Sequence, residues 1–293
     1  MATTPSEIKA IFWNIGNSLS DKKVELISEA ITVFLPDIFC IAEGSISKKD
    51  CKRIVEAFEN QDYSCYYSPL FSEKVELKPS YDYKGLGLKI FVAKTTNVKA
   101  PFSFAEQREE GRIVVLKVYF NFKPITYVFL HNKSKAGATD ETLDQIDFVS
   151  TLNEMITVGK IADDKERVII MGDFNLEPWD RVLKHKKFLS TSFLGNCNII
   201  NQRHTDEKHF FNPLVGLLAN TKTTNLGGTY YGENKGWALL DYILYDTNDG
   251  HISYDIITSF NSGSEILKSD PTLKKAFLAH ELDHLPIIAT ISN

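Results

Sequence analysis

Apolar residues fall in short runs separated by polar breaks and two kinds of periodicity. Residues 8–15 form a strand-length apolar segment that stops at Gly16-Asn17. Over 21–35, Val24, Ile27, Ile31 and Phe34 recur at helical spacing, and Pro36 closes the segment. Residues 37–42 predict a short buried strand. Residues 48–59 predict a second helix, with Cys51, Val55 and Phe58 on one face. Three more strands are predicted at 87–93, 112–120 and 125–130, the last two joined as a hairpin through 122–124. A long helix is expected over 139–161, then a buried strand at 168–171 running into Gly172. The last strands are expected at 239–245, 251–259 and 285–291.

Strands dominate, with helices between some of them, and no repeat, low-complexity tract or linker interrupts the order. This pattern predicts an α/β fold, a four-layer α/β sandwich of two packed mixed β-sheets flanked by helices. One domain over 1–293 is the simplest organisation for a chain of 293 residues. Residues 196–236, rich in Asn, Thr and Gly, are too long for a structureless connection. They serve function or contain elements without a periodic signature.

Composition narrows the class. Hydrophobic residues make up 43%, enough for a full core. The four cysteines, Cys40, Cys51, Cys65 and Cys197, show no paired metal-ligand spacing, and Cys40 lies in an apolar run as a core residue. The N-terminal residues show no basic segment followed by a long apolar stretch, and no apolar run reaches membrane-spanning length. A cytoplasmic, reducing setting with no membrane span is the expectation. The formal net charge of -5 argues against strong non-specific nucleic-acid binding. It leaves a nuclease open, because a bound divalent cation supplies local positive charge.

Polar residues stand at the ends of five apolar segments. Asn14 follows residues 10–13, Glu43 follows 38–42, and His131 follows 127–130. Asp173 and Asn175 follow 168–172, and Asp283 and His284 precede 285–288. Singly, each has an ordinary reading: a capped strand end, a solvated carboxylate, an Asx turn, a surface histidine, loop polars. A sheet, however, collects its strand ends along a rim, so the five together predict one polar cleft. Its carboxylate and amide oxygens suit a hard divalent cation. There is no Gly-x-Ser-x-Gly and no phosphate-cradling Gly-Lys-Ser loop.

Read in order, these segments resemble the endonuclease/exonuclease/phosphatase family. The resemblance is carried by Phe12-Trp13-Asn14-Ile15, by Glu43 after 37–42, and by Glu110-Gly111-Arg112. It continues through Phe129-Leu130-His131, Gly172-Asp173-Phe174-Asn175, Asp241-Tyr242-Ile243-Leu244 and Asp283-His284-Leu285-Pro286, almost the whole chain. It implies that Asn14, Glu43 and Asp283 hold a metal, Mg²⁺ with Mn²⁺ as the alternative. It further implies that Asp173 orients or deprotonates the attacking water and that Asn175 hydrogen-bonds a phosphate oxygen. His284 would act as general base or charged donor, with Asp241 fixing its ring, and His131 would contact the phosphate or leaving group. Arg112 would be structural or phosphate-facing. The chain departs from the family at Leu282, where a small polar residue is common, and at Ala42, where glutamine is common.

Two substrate classes follow. The family pattern favours a nuclease with a nucleic-acid substrate. The acidic balance favours a small phosphorylated molecule or lipid head group. Lys133 and Lys135, after His131, are candidates for lining a phosphate path, or for a solvated loop. The aromatics Phe210, Phe211, Tyr230 and Tyr231 are candidates for a cleft wall that stacks bases, or for core. A non-enzymatic binding module would have lost site residues, and all of them are present.

Overall fold

The computed structural model describes residues 7–16, 18–44, 48–67, 87–94, 104–108, 112–120, 123–135, 141–157, 166–185, 189–193, 209–213, 228–232, 236–246, 251–258 and 282–292. The first half runs β1 (Glu7–Asn14), α1 (Asp21–Phe34), β2 (Ile38–Ala42), α2 (Lys48–Glu59), β3 (Tyr63–Tyr67), β4 (Lys89–Ala93), β5 (Phe104–Arg108), β6 (Ile113–Phe120) and β7 (Lys123–His131). The second half runs α3 (Leu143–Thr157), β8 (Arg167–Asp173), α4 (Arg181–Lys184), β9 (Thr191–Ser192), β10 (Phe210–Phe211), β11 (Tyr230–Gly232), β12 (Gly236–Ala238), β13 (Asp241–Asp246), β14 (His251–Ile256) and β15 (Ile287–Ser292).

Among the described residues these strands form a six-stranded sheet, β14-β15-β1-β2-β4-β3, and a seven-stranded sheet, β5-β6-β7-β8-β13-β10-β9, with a small β11-β12 ribbon. Both large sheets are mixed: β1 runs parallel to β2 and antiparallel to β15, and β8 runs parallel to β7 and antiparallel to β13.

The two-residue side-chain period of a strand divides the second sheet into two faces. Val114, Leu116, Tyr127, Phe129, Ile169, Met171 and Ile243 join the core that the first sheet shares with α1 and α2. Their neighbours Ile113, Val115, Val128, Leu130, Val168, Ile170 and Leu244 pack instead with Phe148, Val149, Leu152, Val182 and Leu183 of α3 and α4. The result is four layers, helix, sheet, sheet, helix. These strands read as nearly continuous apolar runs because both of their faces are covered.

Boundaries differ in instructive places. α1 ends at Phe34 because Leu35 turns left-handed ahead of Pro36. The long helix spans Leu143–Thr157 where 139–161 was expected, and 139–140 and 158–161 lie outside the described residues. The expected β6–β7 hairpin is present, with Phe120 opposite Lys123. Strands β3 and β5, and the short β9 to β12, went unanticipated. Cys40 is a fully buried thiol, as expected. No described helix is long and apolar enough to cross a membrane.

Candidate active site

The strand registers that build the sheets also assemble the cleft. His131 stands beside Asp173 across the parallel β7–β8 ladder, and Asp241 stands opposite Asp173 across the antiparallel β8–β13 ladder. All three share the strand face of Phe129, Met171 and Ile243, so they point between the two sheets. Asn14, at the end of β1, meets them from the other sheet. Its Nδ2 donates to Asp173 Oδ2 at 3.0 Å and to Glu43 Oε1 at 3.5 Å. Its Oδ1 accepts from the Gly16 N–H at 3.0 Å. Asn14, expected as a metal ligand with Glu43 and Asp283, here has its oxygen taken by the Gly16 N–H and presents its amide N–H to the two carboxylates.

Asp173 Oδ2 is the hub. His131 Nε2 lies 3.8 Å away and His284 Nε2 3.9 Å away. His131 Nε2 also lies 3.3 Å from Glu43 Oε1. Burial opposes ionisation of Glu43, but the hydrogen bond and charge of His131 outweigh it and hold the carboxyl below its usual range. Asp173 Oδ1 accepts the Asn175 N–H at 2.8 Å, closing an Asx turn that holds Asn175 left-handed. Asn175 Nδ2 donates to the Asn132 carbonyl at 2.9 Å, so one of its amide hydrogens braces the neighbouring loop.

His284 Nδ1 and Asp241 Oδ2 are 2.7 Å apart and buried. Burial works against the charged ring, yet Asp241, then Asp173 and Asp283, raise His284 to about 10. Burial raises Asp241 to about 6 against the pull of that ring. The pair is an imidazolium held by a carboxylate, with Nε2 turned toward Asp173. Thr229 Oγ1 accepts the Asp241 and Leu240 N–H groups at 2.9 and 3.1 Å. Trp13 Nε1 donates to the His284 carbonyl at 3.1 Å. Tyr231 N–H donates to the Asp283 carbonyl and Leu285 N–H to the Thr229 carbonyl, both at 2.8 Å. The Asp283-His284 segment is thereby strapped across the mouth of the first sheet.

Asp173, Asp241 and His284 bring donor atoms within 4.8 Å of one another. That trio is a poor cation site, because His284 Nδ1 is engaged by Asp241 and a protonated ring offers no lone pair. Glu43 and Asp283 suit a cation better. Among the described residues, Asp283 Oδ1 is buried with no hydrogen-bond partner, a costly state for a carboxylate oxygen unless a cation satisfies it. Gly16 leaves room beside it, since a Cβ there would stand 3.0 Å from Asp283 Oδ1. Burial and then Asp283, Asp173 and Glu43 all raise the Tyr230 phenol, so one half-buried hydroxyl feels all three carboxylates. The donors are hard oxygens, the set that Mg²⁺ or Mn²⁺ takes.

Sequence reasoning placed its eight site residues, Asn14, Glu43, His131, Asp173, Asn175, Asp241, Asp283 and His284, and the fold carries all of them to this one rim. Arg112 Nη1 donates to the carbonyls of His131 and Asn132 at 3.1 and 3.4 Å, which makes it a brace for the β7 exit. Glu110 and Gly111 lie outside the described residues. Lys135 pairs with Asp180 at 3.2 Å. Of the aromatics, Phe210 is core and Phe211 packs on Tyr245, while the Tyr230 ring lies 4.7 Å from that of His284. Leu282 and Ala42, the two family departures, are buried apolar packing.

Gln145 was missed. It is fully buried on α3, and its Nε2 donates to the carbonyls of Lys133 and Asn175 at 2.9 and 2.8 Å, tying the two loops together. The available signal was a lone amide on a helix face otherwise built from Phe148, Val149 and Leu152.

Carboxylates, an imidazole and an amide thus converge at one rim of a two-sheet sandwich, groups suited to a divalent cation and a phosphoric ester. The chain belongs to the Endonuclease/Exonuclease/phosphatase family, whose model matches residues 11–256. Solved structures agree on the fold. A truncated TDP2 from Caenorhabditis elegans is 14% identical, covers 98% of each chain and superposes with a TM-score of 0.59. D. rerio TDP2 complexed with single strand DNA product is 12% identical over 99% of this chain and 100% of the other, with a TM-score of 0.59. The human Nocturnin catalytic domain with bound sulfate anion is 17% identical over 98% and 94%, with a TM-score of 0.53. No curated protein sequence matches the chain.

Proposed function

We propose that this chain, as one domain over 1–293, is a Mg²⁺-dependent phosphodiesterase that hydrolyses DNA or RNA by in-line attack of an activated water. The observation that carries this reading is Asp173 Oδ2, set within 4 Å of Asn14, His131 and His284 at the mouth of a site whose Asp283 oxygen is buried without a partner. Glu43 and Asp283 would supply the ion's protein oxygens, and Asn14 spaces Glu43 from Asp173. A bound Mg²⁺ would supply Lewis-acid stabilisation of charge on the phosphate oxygens. Asp173 accepts a hydrogen bond from the attacking water and aims it at phosphorus. His284, held charged by Asp241, donates from Nε2 to a non-bridging oxygen whose charge grows in the transition state. His131, on the other side of Asp173, stands where the leaving oxygen or a phosphate oxygen is contacted, and Asn175 has a second amide hydrogen for the phosphate.

The family resemblance and the nucleic-acid-bound D. rerio relative support a nucleic-acid substrate. The net charge of -5 favours the alternative, a phosphatase or phosphodiesterase on a small or lipid-head-group phosphate. Incubation with plasmid, single-stranded DNA and RNA separates the two. We expect cleavage with Mg²⁺ and none with chelator or in Asp283→Asn. Intact nucleic acids together with phosphate release from nucleotides, inositol phosphates or phospholipids would establish the alternative.

A further inference from the structure

Lysines are almost never fully buried unless partnered. Lys23 and Lys89 are each only 1% exposed, and both lie directly behind the cleft. Lys23, in the first turn of α1, sends its ammonium back under the turn that leaves β1. It donates to the Ile15 carbonyl at 2.6 Å and the Ser18 carbonyl at 2.8 Å. Lys89, at the start of β4 beside Ile41 of β2, donates to the Glu43 carbonyl at 2.7 Å and the Gly87 carbonyl at 3.2 Å.

Each ammonium thus holds one of two adjoining turns. The turns are clamped together by Ile15 N–H to the Ala42 carbonyl at 3.2 Å and Gly44 N–H to the Gly16 carbonyl at 2.7 Å. Gly16, Glu43 and Gly44 all have positive φ, at 70°, 60° and 75°. Glycine tolerates that region, but Glu43 does not favour it and needs an external hold. The Lys89 ammonium on its carbonyl provides one. On the other turn, the point where a Gly16 Cβ would stand is 3.0 Å from Asp283 Oδ1 and 3.6 Å from Lys23 Nζ. Lys23 therefore faces the unpartnered Asp283 oxygen across a single glycine.

We propose that Lys23 and Lys89 are paired positioning residues for the metal centre: Lys89 fixes the turn that aims Glu43, and Lys23 fixes the turn against which Asp283 rests. This rests on the metal reading above. Carboxylates gathered without an ion repel one another, and two ammonium groups behind them hold the set in binding geometry before the ion arrives. Charge alone predicts the reverse effect. A buried cation near a metal site repels the metal, so removing it should tighten binding. If the lysines act by positioning, removing either one weakens binding, as loss of groups that orient metal ligands does.

The experiment measures Mn²⁺ alone, with free ion counted by electron paramagnetic resonance, against wild type and the variants Lys23→Gln, Lys89→Gln, Lys23→Met and Lys89→Met. Far-UV circular dichroism in chelator confirms the fold of each. The glutamine variants keep a donor and guard against unfolding of the methionine ones. We expect each folded variant to bind Mn²⁺ about 10-fold or more weakly. Equal or tighter binding in the folded glutamine variants overturns the inference. Failure of even these to fold also overturns it, because the lysines then serve the whole fold. A wild-type chain that binds no Mn²⁺ overturns the metal reading, a distinct failure from wild-type binding that the variants share.

Discussion

Asp241 Oδ2 lies 2.7 Å from His284 Nδ1, while Asp173, Asp241's partner across the β8–β13 ladder, faces the opposite nitrogen of the same ring at 3.9 Å. A single rung of the ladder thus carries both the carboxylate that bonds one ring nitrogen and the one that faces the other. Asp241→Asn keeps the shape and removes the charge. We expect it to lower kcat by about 10²–10⁴-fold, the usual worth of acid-base assistance. The alkaline limit of activity should also move down, because the ring loses the partner that raises it. Rate-against-pH profiles of the two proteins check this, and superimposable alkaline limbs would count against the pairing.

The same pair links folding to pH. The folded His284 is raised from 6.5 to about 10. Its stabilisation is therefore fully present below the unfolded value and is lost as pH rises through the folded one. In chelator, urea unfolding should show wild type exceeding His284→Gln by a clear margin near pH 6, and that margin should shrink steadily above about pH 6.5 and be gone above about pH 10. A margin independent of pH would show that the ring contributes packing and not charge.

Asn14 separates two carboxylates with one amide. Asn14→Ala brings Glu43 and Asp173 face to face without a donor, so Glu43 loses one of the groups that hold it ionised. The metal concentration for half-maximal activity should rise by about 10–100-fold. Asn14→Asp should be worse than alanine, because it adds a like charge. Titration of both variants with Mg²⁺ and Mn²⁺ decides the order.

The sheet assignment and the site were legible for the same reason. Strands such as β7 and β8 are long, covered on both faces and end in polar residues at matching registers, so their runs and endings stand out in one dimension. β10 and β11 did not, because two or three residues carry no period and exist as strands only through pairings such as Phe210 with Asp246. Lys23 and Lys89 were invisible for a different reason. In Asp21-Lys22-Lys23 a lysine looks solvated, and nothing local announces carbonyls 5 and 8 residues away awaiting its ammonium. The orientation of the Asn14 amide likewise depends on Glu43 and Asp173, which reach it from distant segments.

Gly172 shows how closely the strands that carry His131 and Asp173 approach. A Cβ there would lie 2.0 Å from the Leu130 carbonyl oxygen, a backbone atom that cannot swing aside. Gly172 pairs with Leu130 in the β7–β8 ladder, one step before His131 pairs with Asp173. Gly172→Ala must therefore push the strands apart at the point where the two site residues meet. Overpacking of this kind costs about 1–3 kcal/mol, which a shifted urea midpoint reads directly. Because the displacement falls on the His131–Asp173 register, kcat should fall by more than the loss of folded protein explains. Measurement at a temperature where the variant is fully folded separates the two effects. Unchanged turnover there would mean that the strands part without moving the side chains that face the cleft.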